Sequence, residues 1–140
     1  MNNLSIRNRL SGTVESVTRG AVMAAVKTRL GGGQELVAAI TLEAAQELGL
    51  TAGTPVTALV KSTEVALATA PVSGVTIRNQ LAGTVEAIAL GAVMASVKVS
   101  VAGAELTSVV TKEAVEDLML TEGSPVVALV KSTEVSLEAI

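Results

Sequence analysis

Hydrophobic and polar residues alternate along most of the chain, which is typical of β-strands that bury one face. The clearest case is the segment from residue 22 to residue 30. One face of this segment would carry Val22, Ala24, Val26, Thr28 and Leu30, and the other Met23, Ala25, Lys27 and Arg29. Patterns of the same kind predict further strands over residues 10–17, 35–40, 56–60 and 64–67, with Gly20 at the turn between the first two strands.

The period changes once, over residues 42–48, where the pattern predicts a two-turn helix. Thr41 stands at the N-cap position, Glu43 lies in the first turn and Gly49 follows the last residue. These are the residue types that favour the two ends of a helix. Five short strands with one helix between the third and the fourth is the element order of an OB-like barrel.

This unit occurs twice. Residues 6–27 match residues 77–98 at 15 of 22 positions, and Ala58–Val65 recurs unchanged as Ala128–Val135. One residue is lost between Gly31 and Gln34, which predicts a hairpin turn there, because insertions and deletions collect in loops. We therefore predict an all-β protein with two tandem OB-like five-stranded barrels, each with one short helix. The predicted domains are residues 1–70 and 71–140.

Composition excludes several kinds of function. The chain has no Cys, His, Phe, Trp or Tyr and a net charge of −3. Zinc, copper or haem sites of the ordinary kind, aromatic stacking of nucleic acid and a basic surface for phosphate backbones are therefore not expected. No charge-free run approaches the roughly 20 residues that span a bilayer, and we expect a cytoplasmic protein. A mean hydropathy of +0.59 in two small units predicts an oligomer that buries apolar surface.

Comparison of the two repeats shows at which positions a positive charge is kept and at which it is lost. Charge is lost at Arg9, Arg19 and Arg29, whose counterparts are Gln80, Leu90 and Ser100. It is kept in the pairs Arg7/Arg78, Lys27/Lys98 and Lys61/Lys131. We interpret Lys27 and Lys98 as solvated or interface charges, and the other two pairs as candidates for binding.

The retained cations lie beside hydrogen-bond donors. Ser5 and Arg7 are two residues apart, so in an extended chain they face the same side, and Asn8 follows. Lys61 precedes Ser62, and Thr41 begins a helix, where free N–H groups favour an anion. Together these groups suit a tetrahedral oxyanion. The alternative for each is structural: a surface arginine at a strand start, a solvated strand end and a simple helix cap. The run Gly31–Gly33 lacks the Lys-Ser/Thr of a phosphate loop and is explained by a hairpin turn.

The combination of Ser5-Ile6-Arg7-Asn8, Leu10, Gly12, Gly20, the Gly53–Pro55 turn and Val60-Lys61-Ser62-Thr63 resembles the Mop module of the molbindins, which are small molybdate-binding proteins. The resemblance covers essentially the whole chain, twice. It implies OB-like barrels that assemble so that anion sites form between modules. Assemblies of six modules are typical of the family, which for two modules per chain implies a trimer.

The resemblance also implies the ligand residues. The motif residues carried over are Ser5, Arg7, Asn8, Thr41, Lys61 and Ser62 in repeat 1, and Thr76, Arg78, Asn79, Thr111, Lys131 and Ser132 in repeat 2. A second type of site, near a symmetry axis, would use main chain around Gly20, Ala21, Val22, Gly91, Ala92 and Val93. Ile6 and Ile77 stand where alanine is common in the family, so the shape of the pocket is expected to differ. We expect the partner of Lys61-Ser62 to be Ser5-Arg7 or Thr76-Arg78, supplied by a neighbouring module.

The sequence therefore predicts a non-enzymatic, cytoplasmic protein that binds molybdate, and also tungstate, for storage or homeostasis. Partners other than the anion would be copies of the chain, with no nucleic acid and no membrane. A purely structural or interaction module without a ligand is one alternative. An enzyme acting on a phosphate ester is the other, although no nucleophile stands beside a base.

Overall fold

The computed structural model describes residues 3–140, which form ten strands, two short helices and two single-turn 3₁₀ helices. In repeat 1 these are β1 (Asn8–Arg19), β2 (Met23–Leu30), β3 (Glu35–Thr41), α1 (Leu42–Glu47), β4 (Pro55–Val60), a 3₁₀ turn (Ser62–Glu64) and β5 (Ala66–Ala68). In repeat 2 they are β6 (Asn79–Leu90), β7 (Met94–Val101), β8 (Ala104–Thr111), α2 (Lys112–Asp117), β9 (Pro125–Val130), a 3₁₀ turn (Ser132–Glu134) and β10 (Ser136–Ala139). Neither α-helix in this part of the chain is long or apolar enough to cross a membrane.

The predicted alternation is confirmed in β2. Ala24, Val26, Thr28 and Leu30 are buried, whereas the positions between them are exposed. The predicted helix is also present, and the side chain of Thr41 accepts a hydrogen bond from the Ala44 N–H at 3.1 Å. Gly49 follows the helix with φ of 63°, a left-handed conformation that glycine adopts without steric cost. In repeat 2 the same conformation is held by Met119, with φ of 53°.

The ten strands form two five-stranded antiparallel sheets, so the all-β prediction with two five-stranded units and one short helix in each is confirmed. The sheets have the strand orders β10-β4-β1-β2-β3 and β5-β9-β6-β7-β8. The last strand of each repeat therefore lies in the sheet of the other. β5 pairs with β9, with Leu67 opposite Ala128, and β10 pairs with β4, with Leu137 opposite Ala58. This exchange differs from the expectation that each repeat closes its own sheet.

The hydrophobic core is continuous across the two repeats. Its larger cluster includes Leu10, Leu36 and Val60 from repeat 1 together with Leu81, Val97 and Val130 from repeat 2. A smaller cluster consists of Val14, Val26, Leu50 and Val56 of repeat 1, and Leu137 of repeat 2 packs against it. Since small aliphatic side chains bury little area each, the shared cluster supplies an extent of core that a 70-residue half would lack.

A charged cluster on repeat 1 surrounds the bulge of β1. The β1–β2 register shifts between Val14 and Ser16, and Arg29 contacts Glu15 with Nη2 to Oε1 at 2.7 Å. The pKa of Glu15 is lower than its usual value of 4.5. The main cause is a hydrogen bond with the carboxyl of Glu35, and the second is the hydrogen bond from Arg29.

Buried polar atoms mark a further difference between the repeats. Thr28 is fully buried and its hydroxyl has no hydrogen-bond partner in the described part of the chain. The counterpart in repeat 2 is Val99, which is also fully buried. The hydroxyl therefore contributes a desolvation cost in one repeat only.

Candidate functional site

The two predicted halves of the site lie together within one repeat. Asn8 pairs with Val60 at the end of the β1–β4 ladder, which brings the arm of repeat 1 (residues 5–7) beside its lysine turn (residues 61–64). The two segments enclose an open cavity of about 250 Å³. It is lined by Ser5, Ile6, Arg7, Lys61, Ser62 and Thr63. The strand register therefore brings the arm and the lysine turn of the same repeat together, and a contribution from a neighbouring module stays a prediction.

Repeat 2 has the same arrangement. Asn79 pairs with Val130, so that its arm (residues 76–78) reaches its lysine turn (residues 131–134). Thr76 and Arg78 are exposed, as are Ser5 and Arg7 in repeat 1. Both arms thus leave a hydroxyl and a guanidinium exposed.

The cations at these two places are not neutralised by carboxylates. Arg7, Lys61, Arg78 and Lys131 are all exposed, and none forms an ion pair within residues 3–140. The ion pairs that do form there involve Arg9, Arg29 and Lys98. Each repeat therefore carries two adjacent positive charges that remain available to an anion.

Each lysine turn also holds a serine hydroxyl without a partner. The Oγ atoms of Ser62 and Ser132 are buried, and no described residue hydrogen-bonds to them. Buried polar atoms in folded proteins are nearly always paired, and an orphan that is repeated at both sites calls for an explanation. A ligand that accepts a hydrogen bond is one such explanation.

Asn8 and Asn79 serve the fold instead. Asn8 Nδ2 donates to the carbonyl of Thr107 and its Oδ1 accepts from the Thr107 N–H, both at 2.8 Å. Asn79 makes the same two bonds to Val37, also at 2.8 Å. Both asparagines are buried, so each amide caps the free edge of a strand in the other repeat. We therefore leave both out of the ligand set proposed below.

Thr41 and Thr111 lie far from the arm and the lysine turn of their own repeats. Thr41 stands opposite Met23 at the end of β1 that is distant from Asn8. At about 3.3 Å per residue, the 12 residues of β1 separate its two ends by roughly 36 Å along the strand. Thr41 does not line the cavity of repeat 1, whereas β3 and β8, which end at Thr41 and Thr111, contact the lysine turns of repeat 2 and repeat 1.

The helix starts instead adjoin the predicted second-type residues. Leu42 N–H donates to the carbonyl of Val22, and Lys112 N–H donates to that of Val93, both at 2.8 Å. Gly20 and Gly91 close the preceding turns through their N–H groups, and Ala21 lies in the first of these turns. Ala92, Val93 and Thr111 line an open cavity of about 460 Å³.

Sequence reasoning missed one residue near the site. Ser108 of β8 is fully buried and donates a hydrogen bond from Oγ to the carbonyl of Val65 at 2.6 Å, immediately after the lysine turn of repeat 1. Comparison of the repeats gave no signal for it, because repeat 1 has Ala38 at the equivalent position. Within residues 3–140, no group of three or more acidic side chains is placed to hold a metal ion.

Comparison with known proteins identifies the family and the fold. The TOBE domain model matches twice, over residues 4–67 and 76–137. The molybdenum transport protein ModE of Azotobacter vinelandii is 39% identical over 134 residues, which cover 95% of this chain and 50% of ModE. The molybdenum-pterin-binding protein MopB of Rhodobacter capsulatus is 38% identical over 135 residues, covering 95% of this chain and 50% of MopB. The chain thus spans about half the length of these curated relatives.

A solved structure matches over the full length. It is described as the cytoplasmic molybdate-binding protein ModG with molybdate bound, and it is 44% identical to this chain. The TM-score is 0.94, and the alignment covers 99% of this chain and 100% of ModG. The double match of the family model and the full-length match in fold agree with each other, and the chain belongs to the TOBE-domain family in its two-repeat molbindin form.

Proposed function

We propose that this chain binds molybdate at the arm and lysine turn of each repeat, for storage or homeostasis of molybdenum in the cytoplasm. The observation that carries the proposal is the repeated combination of two cations and a buried serine hydroxyl that have no partner among residues 3–140. The proposed ligands are Ser5, Arg7, Lys61 and Ser62 in repeat 1, and Thr76, Arg78, Lys131 and Ser132 in repeat 2. The relatives named for molybdenum, and ModG with molybdate bound, support the identity of the anion.

The chemistry of the donors suits a dianion. Burying a doubly charged tetrahedral anion without compensation would be strongly unfavourable. One guanidinium, one ammonium and two hydroxyls supply charge and donors together, and charge-assisted hydrogen bonds are the stronger kind. Serine is small, so a change of its χ1 rotamer would bring the Ser62 hydroxyl to a ligand in the cavity that the residue lines. Tungstate should bind similarly, since it has the same charge and shape.

We also propose that the chain acts as a homotrimer. Val22 and Val93 are 71% and 70% exposed at equivalent positions of the two repeats, and Met23 and Met94 beside them are 44% and 46% exposed. A neighbouring copy that covers these residues would bury apolar surface on both repeats at once. The predicted second-type sites, with Thr41 and Thr111 nearby, would then lie at this contact. Binding without catalysis is the role we propose, since no nucleophile and base are paired among the described residues.

Equilibrium dialysis of the purified chain against molybdate tests the proposal. Arg78→Ala and Lys131→Ala should each remove one class of sites, leaving the sites of repeat 1 filled. Arg19→Ala is the matched control, because it removes an exposed arginine whose counterpart in repeat 2 is Leu90. Unchanged stoichiometry in both site variants would contradict the assignment. Native mass spectrometry with and without molybdate would count the subunits and the bound anions together.

A further inference from the structure

Two successive residues of β8 contact both sides of the repeat-1 site. Thr107 is held by the amide of Asn8 through two hydrogen bonds of 2.8 Å. Ser108 donates its hydroxyl to the carbonyl of Val65 at 2.6 Å. Asn8 is 1% exposed and Ser108 is 0% exposed, so these bonds are shielded from water. In a buried setting such bonds are costly to break.

These two contacts fall at the points that determine the shape of the site. Asn8 directly follows Arg7, and the strand alternation turns Asn8 inward while Arg7 remains exposed. Val65 directly follows the lysine turn that carries Lys61 and Ser62. One strand of repeat 2 is thus bonded to the base of the arm and to the end of the lysine turn. The spacing between the two halves of the site depends on that strand.

We propose that Asn8 and Ser108 are positioning residues of the repeat-1 anion site, which hold the arm and the lysine turn at a binding separation against β8 of the other repeat. This inference rests on the proposed function. Neither residue lines the cavity of the repeat-1 site. Each acts by fixing the main chain beside a ligand residue, as outer-shell partners do for metal ligands.

The site of repeat 2 has only one of the two contacts. Asn79 holds Val37 of β3 as Asn8 holds Thr107. The position equivalent to Ser108 is Ala38, which is buried and has no hydroxyl to offer the carbonyl of Val135. The lysine turn of repeat 2 therefore lacks this bond. We expect the repeat-1 site to bind molybdate more tightly than the repeat-2 site.

Single-site backgrounds allow each site to be measured alone by calorimetric titration with molybdate. Arg78→Ala leaves the repeat-1 site, and Arg7→Ala leaves the repeat-2 site. Ser108→Ala should weaken the repeat-1 site by roughly tenfold, the lower end of the range for outer-shell partners, and should not affect the repeat-2 site. Ala38→Ser installs the missing hydroxyl and should tighten the repeat-2 site. Ser108→Ala should fold, since it reproduces the residue that β3 already carries.

Asn8→Ala should weaken the repeat-1 site more strongly, by roughly 10- to 100-fold. If Asn8→Ala does not fold, Asn8→Ser, which keeps a hydroxyl for the buried backbone, replaces it with the same expected result. Gln34→Ala is the control: Gln34 also makes two side-chain bonds across the repeats, to Ala82 at 3.2 Å, but does not adjoin the site. It should lower the melting temperature without changing the affinity.

The outcomes separate this inference from the proposed function. If the Arg78→Ala protein binds molybdate and its affinity is unchanged by Ser108→Ala and by Asn8→Ala or its replacement, the positioning roles are refuted and the proposed function stands. If the unmodified protein does not bind molybdate, the proposed function itself fails. If Ser108→Ala weakens both sites equally, the effect is global and the positioning role is again refuted.

Discussion

The buried hydroxyl of Ser62 leads to a prediction in which stability and binding change in opposite directions. In the free protein this hydroxyl is shielded from water and has no hydrogen-bond partner among the described residues. An unpaired buried polar group costs about 1–3 kcal/mol, and the lower end applies because Ser62 as a residue is half-buried. Ser62→Ala should therefore stabilise the anion-free protein by about 1 kcal/mol, which for a chain of this size raises the melting temperature by about 4 °C.

The same substitution should weaken binding. A hydrogen bond to a charged group contributes about 1.5–3 kcal/mol, so its loss should raise the Kd of the repeat-1 site by roughly 10- to 100-fold. At a molybdate concentration of 100 times the original Kd, one site stabilises the folded state by about 2.7 kcal/mol. A tenfold weaker site stabilises it by only about 1.4 kcal/mol at that concentration.

Thermal unfolding with and without molybdate measures both effects in one experiment. Ser62→Ala should melt above the unmodified protein without the anion and should gain less when the anion is added. Ser132→Ala should behave in the same way at the other site. Ser16→Ala is the control, because Ser16 is exposed and its counterpart is Ala87, so neither quantity should change. A Ser62→Ala protein that melts lower without molybdate and gains the full increment with it would refute the reasoning.

Three further predictions concern the fold. Thr28→Val removes an unpaired buried hydroxyl in favour of the residue at the equivalent position of repeat 2, and should stabilise the protein by about 1 kcal/mol; a lower urea midpoint for unfolding would show that the hydroxyl has a partner. Met119→Gly relieves a left-handed backbone at an exposed position and should add about 0.5–1 kcal/mol, because the gain in the folded state is partly offset by a more flexible unfolded chain; an unchanged or lower melting temperature would contradict this. The pKa of Glu15 is lower in the folded state than the usual 4.5, so its contribution to stability is present above pH 4.5 and is lost as the pH falls through the folded-state pKa. Melting curves of Glu15→Gln should therefore lie below those of the unmodified protein at neutral pH and converge with them in acid, and curves that stay parallel down to about pH 3 would exclude the linkage.

Local physical chemistry made much of this protein predictable from its sequence. A period of two with small aliphatic residues determines β2, and the Thr41 cap with Gly49 determines the position of α1. Retention of Arg7/Arg78 and Lys61/Lys131 between the repeats identified cations that form no ion pair within residues 3–140. The cavity shared by the arm and the lysine turn follows from the register of β1 and β4, and sequence alone did not give that register.

Long-range pairing decided the rest. The strands β4 and β9 differ only at Thr57 and Val127, so by sequence β5 could pair with either of them. In the structure β5 pairs with β9 of the other repeat, because of the path that the chain takes after the 3₁₀ turn. The same exchange places β8 against the repeat-1 site. Asn8 therefore hydrogen-bonds to Thr107, and Ser108 to the carbonyl of Val65. The sequence by itself determined the strands, the helices and the chemistry of the site. Which strand supports each site was decided by the tertiary structure, because two near-identical repeats present the same local pattern to every possible partner.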